Sequence, residues 1–132
     1  MSNDTFSQWL SGRDFEYWST GQHKIESPVF FEKWAKGEAV LLDVRAPEER
    51  KFLRFPFALE IPINELPARL NEIPRDKIVA TLCTAGDRSN VAFAYLQAQG
   101  FENVRIISGG YANIIPEVWP GKVRKTLQAK NG

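Results

Sequence analysis

Three short apolar runs constrain this chain more than any other feature of its sequence. Residues 40–44 read VLLDV, residues 78–83 read IVATLC and residues 104–107 read VRII. Apolar positions follow one another in these runs rather than alternating with polar ones. A strand of that kind is buried on both faces, the condition of a parallel sheet covered by helices.

Segments of helical character lie between the runs. Ser27-Pro28 reads as an N-cap followed by the first helical residue, and the helix runs to Lys36 before Gly37 ends it. Pro47-Glu48-Glu49 opens another, with acids at its positive end. Residues 58–61 form a weak strand, and 64–70 a short helix or two pieces around Pro67. A longer helix covers 89–99. Val91, Ala94, Tyr95 and Ala98 fall at i, i+3, i+4 and i+7 along it and define its expected core face. Gly100-Phe101 then reads as its C-cap, with Phe101 folding back. Residues 23–26 add a short strand. The alternation predicts an α/β fold, a single domain with a central parallel sheet and helices on both faces. Sites in such sheets lie beyond the carboxyl ends of strands, which singles out Asp43 with Arg45, and Cys83 with its loop.

The ends differ from the middle. Residues 1–23 carry Phe6, Trp9, Leu10, Phe15, Tyr17 and Trp18 and read as an N-terminal helical extension packed on the domain, with a turn at Gly21. Aromatics in such a place could also mark a partner interface. Residues 121–132 read as a basic, frayed C-terminal tail.

Charge and cysteine content exclude several function classes. The 132 residues sum to a formal charge of +1, which gives no electrostatic case for nucleic acid or an anionic membrane surface. No run approaches the ~18 apolar residues of a membrane span. The start, MSNDTFSQWLSGRD, lacks the basic-then-apolar order of a signal peptide, so a cytoplasmic location is expected. The single cysteine, Cys83, cannot form an internal disulfide and is a candidate nucleophile.

Its surroundings, TLCTAGDRSN, strengthen that candidacy. Residues Thr84, Ala85, Gly86, Asp87, Arg88 and Ser89 lie between a strand end and a helix start. Backbone N–H groups in such a place can converge on one anion, and the helix dipole adds positive potential. Gly86 permits a bend that a side chain would block, and Arg88 adds a fixed charge. A thiol so placed ionises readily, with a pKa brought to roughly 3.5–7.5 in known cases. A buried structural cysteine is the ordinary alternative, and it has no use for such a loop.

These residues carry a resemblance. CTAGDRS (83–89) looks like the active loop of single-domain rhodaneses, with Cys83, a glycine three places on (Gly86) and an arginine five places on (Arg88). LLDVRAPEER (41–50) resembles the family's leading motif, with Asp43 and Arg45 as its Asp-x-Arg pair. GFENVRIISGGY (100–111) resembles its last strand and Gly-Gly turn. The resemblance covers roughly residues 24–120 and implies a rhodanese-like sulfurtransferase. It implies that Cys83 takes sulfur from thiosulfate, polysulfide or a persulfide and passes it to a thiol, cyanide or protein-thiol acceptor. It implies no metal and no organic cofactor. Asp43 and Arg45 read as a supporting pair that braces the loop, or as a strand-end ion pair of structural value only. Rhodanese-fold phosphatases and arsenate reductases keep five residues between cysteine and arginine; here there are four. A non-catalytic interaction module on the same fold is the other alternative, and such modules typically lack the cysteine.

One segment departs from the family. Leu53 and Phe57 stand where glycines are common, and Arg54 where a histidine is. Phe55 and Phe57 share strand-like spacing and, with Phe52, belong either to the core or to the mouth of the loop. Asp87 either faces that mouth, where it would repel a dianionic donor, or points to solvent at the helix start. His23, the sole histidine, is expected in a surface or packed role.

Overall fold

The computed structural model describes residues 4–131. Five parallel strands form one sheet: β1 (Lys24–Ile25), β2 (Ala39–Asp43), β3 (Leu59–Glu60), β4 (Ile78–Leu82) and β5 (Val104–Ile107). They lie in the order β1-β5-β4-β2-β3, which places β4 at the centre. Asp43 pairs in register with Leu82, so β2 and β4 end side by side and deliver Asp43 and Cys83 to one edge.

Alternate residues of the strands feed two separate cores, as a pleated sheet buried on both faces requires. Leu42, Val79, Val104 and Ile106 face one cluster with Phe93 and Leu96. Leu41, Ala80, Leu82 and Ile107 face the other with Phe30 and Phe31. The first is covered by α1 (Thr5–Ser11) and α5 (Asp87–Ala98), the second by α3 (Ser27–Ala35). The fold is α/β with helices on both faces of a parallel sheet. Among the described residues, no helix is long and apolar enough to cross a membrane.

Local details refine the sequence reading. Ser27 is the first helical residue rather than the cap; Glu26 holds the N-cap position. Residues 63–72 form two 3₁₀ pieces, Ile63–Ala68 and Leu70–Glu72, because Pro67 sits inside the first. The expected core face of α5 is turned. Ser89, Ala92, Phe93 and Leu96 point inward, while Val91 is 60% exposed and Ala94, Tyr95 and Ala98 are only half-buried. Both sets have helical spacing. The choice falls to Ser89, whose N–H and hydroxyl sit on the Cys83 sulfur and so fix the helix's rotation.

The N-terminal segment forms two helices, α1 and α2 (Phe15–Ser19), each capped by an aspartate, Asp4 and Asp14. Trp9 is the buried anchor. Its ring meets Phe93 edge-on at 6.0 Å, and its N–H donates to Gln97 on α5 at 3.3 Å. Arg13 lies over both Trp9 and Tyr17. The C-terminal segment, expected to fray, is a helix, α6 (Pro120–Asn131). It lies along α3, with the Lys130 ammonium over the Trp34 ring at 4.3 Å. Pro120 suits its first position and no later proline or β-branched run interrupts it.

Candidate active site

Cys83 follows the last residue of the central strand and is 1% exposed. The chain then turns through Thr84, Ala85 and Gly86 into α5. Gly86 takes φ 128°, a conformation that residues with a Cβ rarely adopt, and serves as the helix N-cap. This bend aims backbone donors at the sulfur. The N–H of Gly86 lies 3.1 Å from Sγ and that of Ser89 3.3 Å. The Ser89 hydroxyl lies 3.4 Å from Sγ; it accepts from the neutral thiol while donating to the Gly86 carbonyl at 3.1 Å, and it favours ionisation by turning its proton to the thiolate.

These contacts oppose the cost of burial. Desolvation pushes the Cys83 thiol up. The Ser89 hydroxyl and the backbone N–H groups of Ser89, Gly86 and Ala85 together outweigh it, and the net direction is downward. An anionic sulfur is stabilised in this cradle as an oxyanion is by backbone donors, with a helix N-terminus behind it.

A turn on the far side closes the loop. Tyr111 donates its N–H to the Cys83 carbonyl at 3.2 Å. Gly109 and Gly110, at φ 77° and 67°, let the chain pass close to Thr84. The Ser108-Gly109-Gly110 stretch is therefore a tight turn against the loop.

Asp43 and Arg45 form a buried ion pair, with Arg45 Nη2 2.8 Å and Nε 3.0 Å from the carboxylate oxygens. The Arg45 guanidinium lies between the rings of Phe55 and Tyr111 and donates to the Leu53 carbonyl at 2.9 Å. The pair thus reaches the loop through Tyr111 and fixes the 53–55 segment, rather than bonding to the loop. Phe55 and Phe57 belong to the core on the α3 side, Phe57 against Phe31 and Trp34. Phe52 is 92% exposed. Arg54, where the family has histidine, pairs with Glu60. Asp87 is exposed at the first position of α5.

Sequence reasoning missed Glu49. It stands on α4 (Pro47–Arg50), and its carboxylate bonds Arg88 through both oxygens, Nη2 at 2.8 Å from Oε2. It also accepts from the Thr84 hydroxyl at 3.2 Å and the Ala46 N–H at 2.9 Å. Arg88 beside it holds this carboxyl down to about 2. The signal lay in the second glutamate of the Pro-Glu-Glu helix start, which reads as an ordinary dipole partner until the fold brings Arg88 to it.

Sequence and structure comparisons agree with this fold. The profile of the rhodanese-like domain matches residues 28–116. A sulfurtransferase from Allochromatium vinosum is 39% identical over 89 residues, covering 67% of this chain and 83% of that protein. The crystal structure of a rhodanese-related protein from Thermoplasma volcanium superposes with TM-score 0.64 at 32% identity, covering 74% of this chain and 95% of that one. An NAD-dependent persulfide reductase from A. fulgidus matches at TM-score 0.57 and 38% identity, over 79% of this chain and 17% of its own length. With β2 to β5 and the Cys83 loop all inside the matched stretch, the chain belongs to the rhodanese-like domain family of sulfurtransferases.

Proposed function

We propose that the protein moves a sulfane sulfur through a persulfide on Cys83. The observation that carries this reading is the convergence of the Gly86 and Ser89 N–H groups and the Ser89 hydroxyl on one buried sulfur. In the first step the Cys83 thiolate attacks the outer sulfur of a donor. A Cys83–sulfur bond forms as the donor's own S–S bond breaks, and its electron pair leaves with the departing group, a thiolate from a persulfide or sulfite from thiosulfate. In the second step an acceptor thiolate or cyanide attacks the outer sulfur and the thiolate of Cys83 departs. Neither step needs an external oxidant or reductant, and the sequence is a double displacement with ping-pong kinetics. The likeness to a persulfide reductase supports persulfides among the donors.

Intact mass after incubation with thiosulfate, polysulfide or an alkyl persulfide tests the reading. The chain gains about 32 Da, one sulfur, on Cys83, its only thiol. Cyanide or excess thiol removes it, and Cys83→Ser gains nothing. Absence of the addition with every donor overturns the proposal.

A further inference from the structure

Glu49 has no part in the transfer steps, yet four donors converge on its carboxylate. Arg88 supplies two, the Thr84 hydroxyl a third and the Ala46 N–H a fourth. A carboxylate held on so many sides has one orientation, and that orientation faces Arg88. The planar guanidinium is matched two-to-two, the geometry in which arginine binds carboxylates most tightly. Arg88 Nη2 also lies 3.4 Å from the Thr84 hydroxyl, so the three side chains close a ring across α4, the loop and α5.

This changes the charge of the loop's rim. Read from sequence, Arg88 adds a fixed positive charge to the loop. In the structure its charge is cancelled at contact distance, and Asp87 next to it is exposed and negative. Arg45, the other arginine near the loop, is cancelled by Asp43 and fully buried. Arg50 and Arg54 share the single carboxylate of Glu60 on β3, leaving one positive charge there against the exposed Asp87. The rim therefore offers an approaching dianion the backbone donors of the cradle and little further positive charge.

We infer that Glu49 is a positioning residue that sets donor specificity: by clamping Arg88 it withholds the loop's cation and fits the site to sulfur donors of low charge, such as alkyl persulfides, over dianionic thiosulfate. The donor assignment rests on the sulfur-transfer reading above.

Alkylation of Cys83 by iodoacetate and by iodoacetamide probes the rim without any sulfur chemistry. The reagents differ by one negative charge, so the ratio of their rates reads the field at the thiolate, while a merely disturbed loop moves both rates together. In Glu49→Gln the iodoacetate-to-iodoacetamide ratio rises about five-fold at low ionic strength and falls back in high salt. The KM for thiosulfate falls by a similar factor, and kcat falls less than two-fold, about the scatter of such measurements. Glu49→Asp, which keeps the charge, stays within about two-fold of the wild-type ratio. Made in an Arg88→Gln background, Glu49→Gln raises the ratio by less than about two-fold, because no clamped cation is there to release. Equal gains with and without Arg88, or no gain, overturn the clamp while leaving sulfur loading of the wild type intact. If the ratio responds as stated but no donor loads Cys83 in any variant, the transfer reading and the donor assignment fall together.

Discussion

Gly110 packs against the backbone of Thr84 so closely that a Cβ on it would lie 2.2 Å from the Thr84 carbonyl oxygen. The two segments come from different parts of the chain, and their contact presses the turn after β5 onto the loop after β4. Gly110 also has φ 67°. Gly110→Ala therefore meets both a clash with rigid backbone and a strained dihedral. We expect a loss of about 1–3 kcal/mol in denaturant unfolding. Sulfur loading of Cys83 should fall more than stability accounts for, because the displaced atoms belong to the cradle. A variant with full loading and an unmoved unfolding midpoint would show that the contact is slack.

Asp43→Ala is expected to be among the most damaging single changes. It leaves the Arg45 guanidinium buried with its chief partner gone, since both side chains are all but inaccessible to solvent. Breaking a buried pair in this way costs about 3–5 kcal/mol. Chemical denaturation reads the loss. Replacing both residues together should cost less than the sum of the two single changes, as expected for a coupled pair.

The sheet was legible in the sequence because its strands are apolar on both faces, a pattern that few other structures tolerate. Cys83 and its loop were legible because glycine, cysteine and arginine there have little use in a plain strand–helix junction. The face of α5 was not legible, because apolar residues surround the helix and two sets share the same spacing. What decides between them is a polar contact, Ser89 on the Cys83 sulfur, which hydrophobic period does not register. Glu49 escaped for a related reason. Its partner lies thirty-nine positions away, and only the adjacency of β2 and β4 brings them together. The helix at 120–131 was hidden by its charge, since four cations and no acid read as a solvated tail. An ammonium is also drawn to an aromatic face, and this helix sets Lys130 over Trp34 in that way.

His23 should titrate below the usual range near pH 6.5. It is packed against Tyr17, Trp18 and Phe93, and its buried Nδ1 has no hydrogen-bond partner among the described residues. Burial lowers its pKa first, and the charge of Lys24 adds to the effect. The folded state thus binds a proton less readily than the unfolded chain. The associated stability is complete above about pH 6.5 and is lost as pH falls through the folded pKa. The imidazole resonance, unique in this chain, gives the midpoint directly. His23→Phe should flatten the decline of Tm between neutral pH and about pH 5. A His23 midpoint at or above the ordinary value would contradict the packing.

Ser89→Ala isolates what one hydroxyl does for the nucleophile. In the wild type, burial raises the Cys83 pKa, and the Ser89 hydroxyl opposes it ahead of the backbone N–H groups of Ser89, Gly86 and Ala85. Removing the hydroxyl leaves burial opposed by the three N–H groups alone. The pH midpoint of iodoacetamide alkylation should therefore move up from a wild-type value below that of an ordinary thiol. The hydroxyl also donates to the Gly86 carbonyl, so the loop loses one of its internal ties. A looser cradle and a raised pKa are separable. A raised pKa alone lowers the rate at neutral pH and leaves the plateau at high pH intact. A displaced cradle lowers the plateau as well. An unchanged midpoint with an intact plateau would mean that the backbone donors alone hold the thiolate, and that Ser89 serves Cys83 only through its N–H.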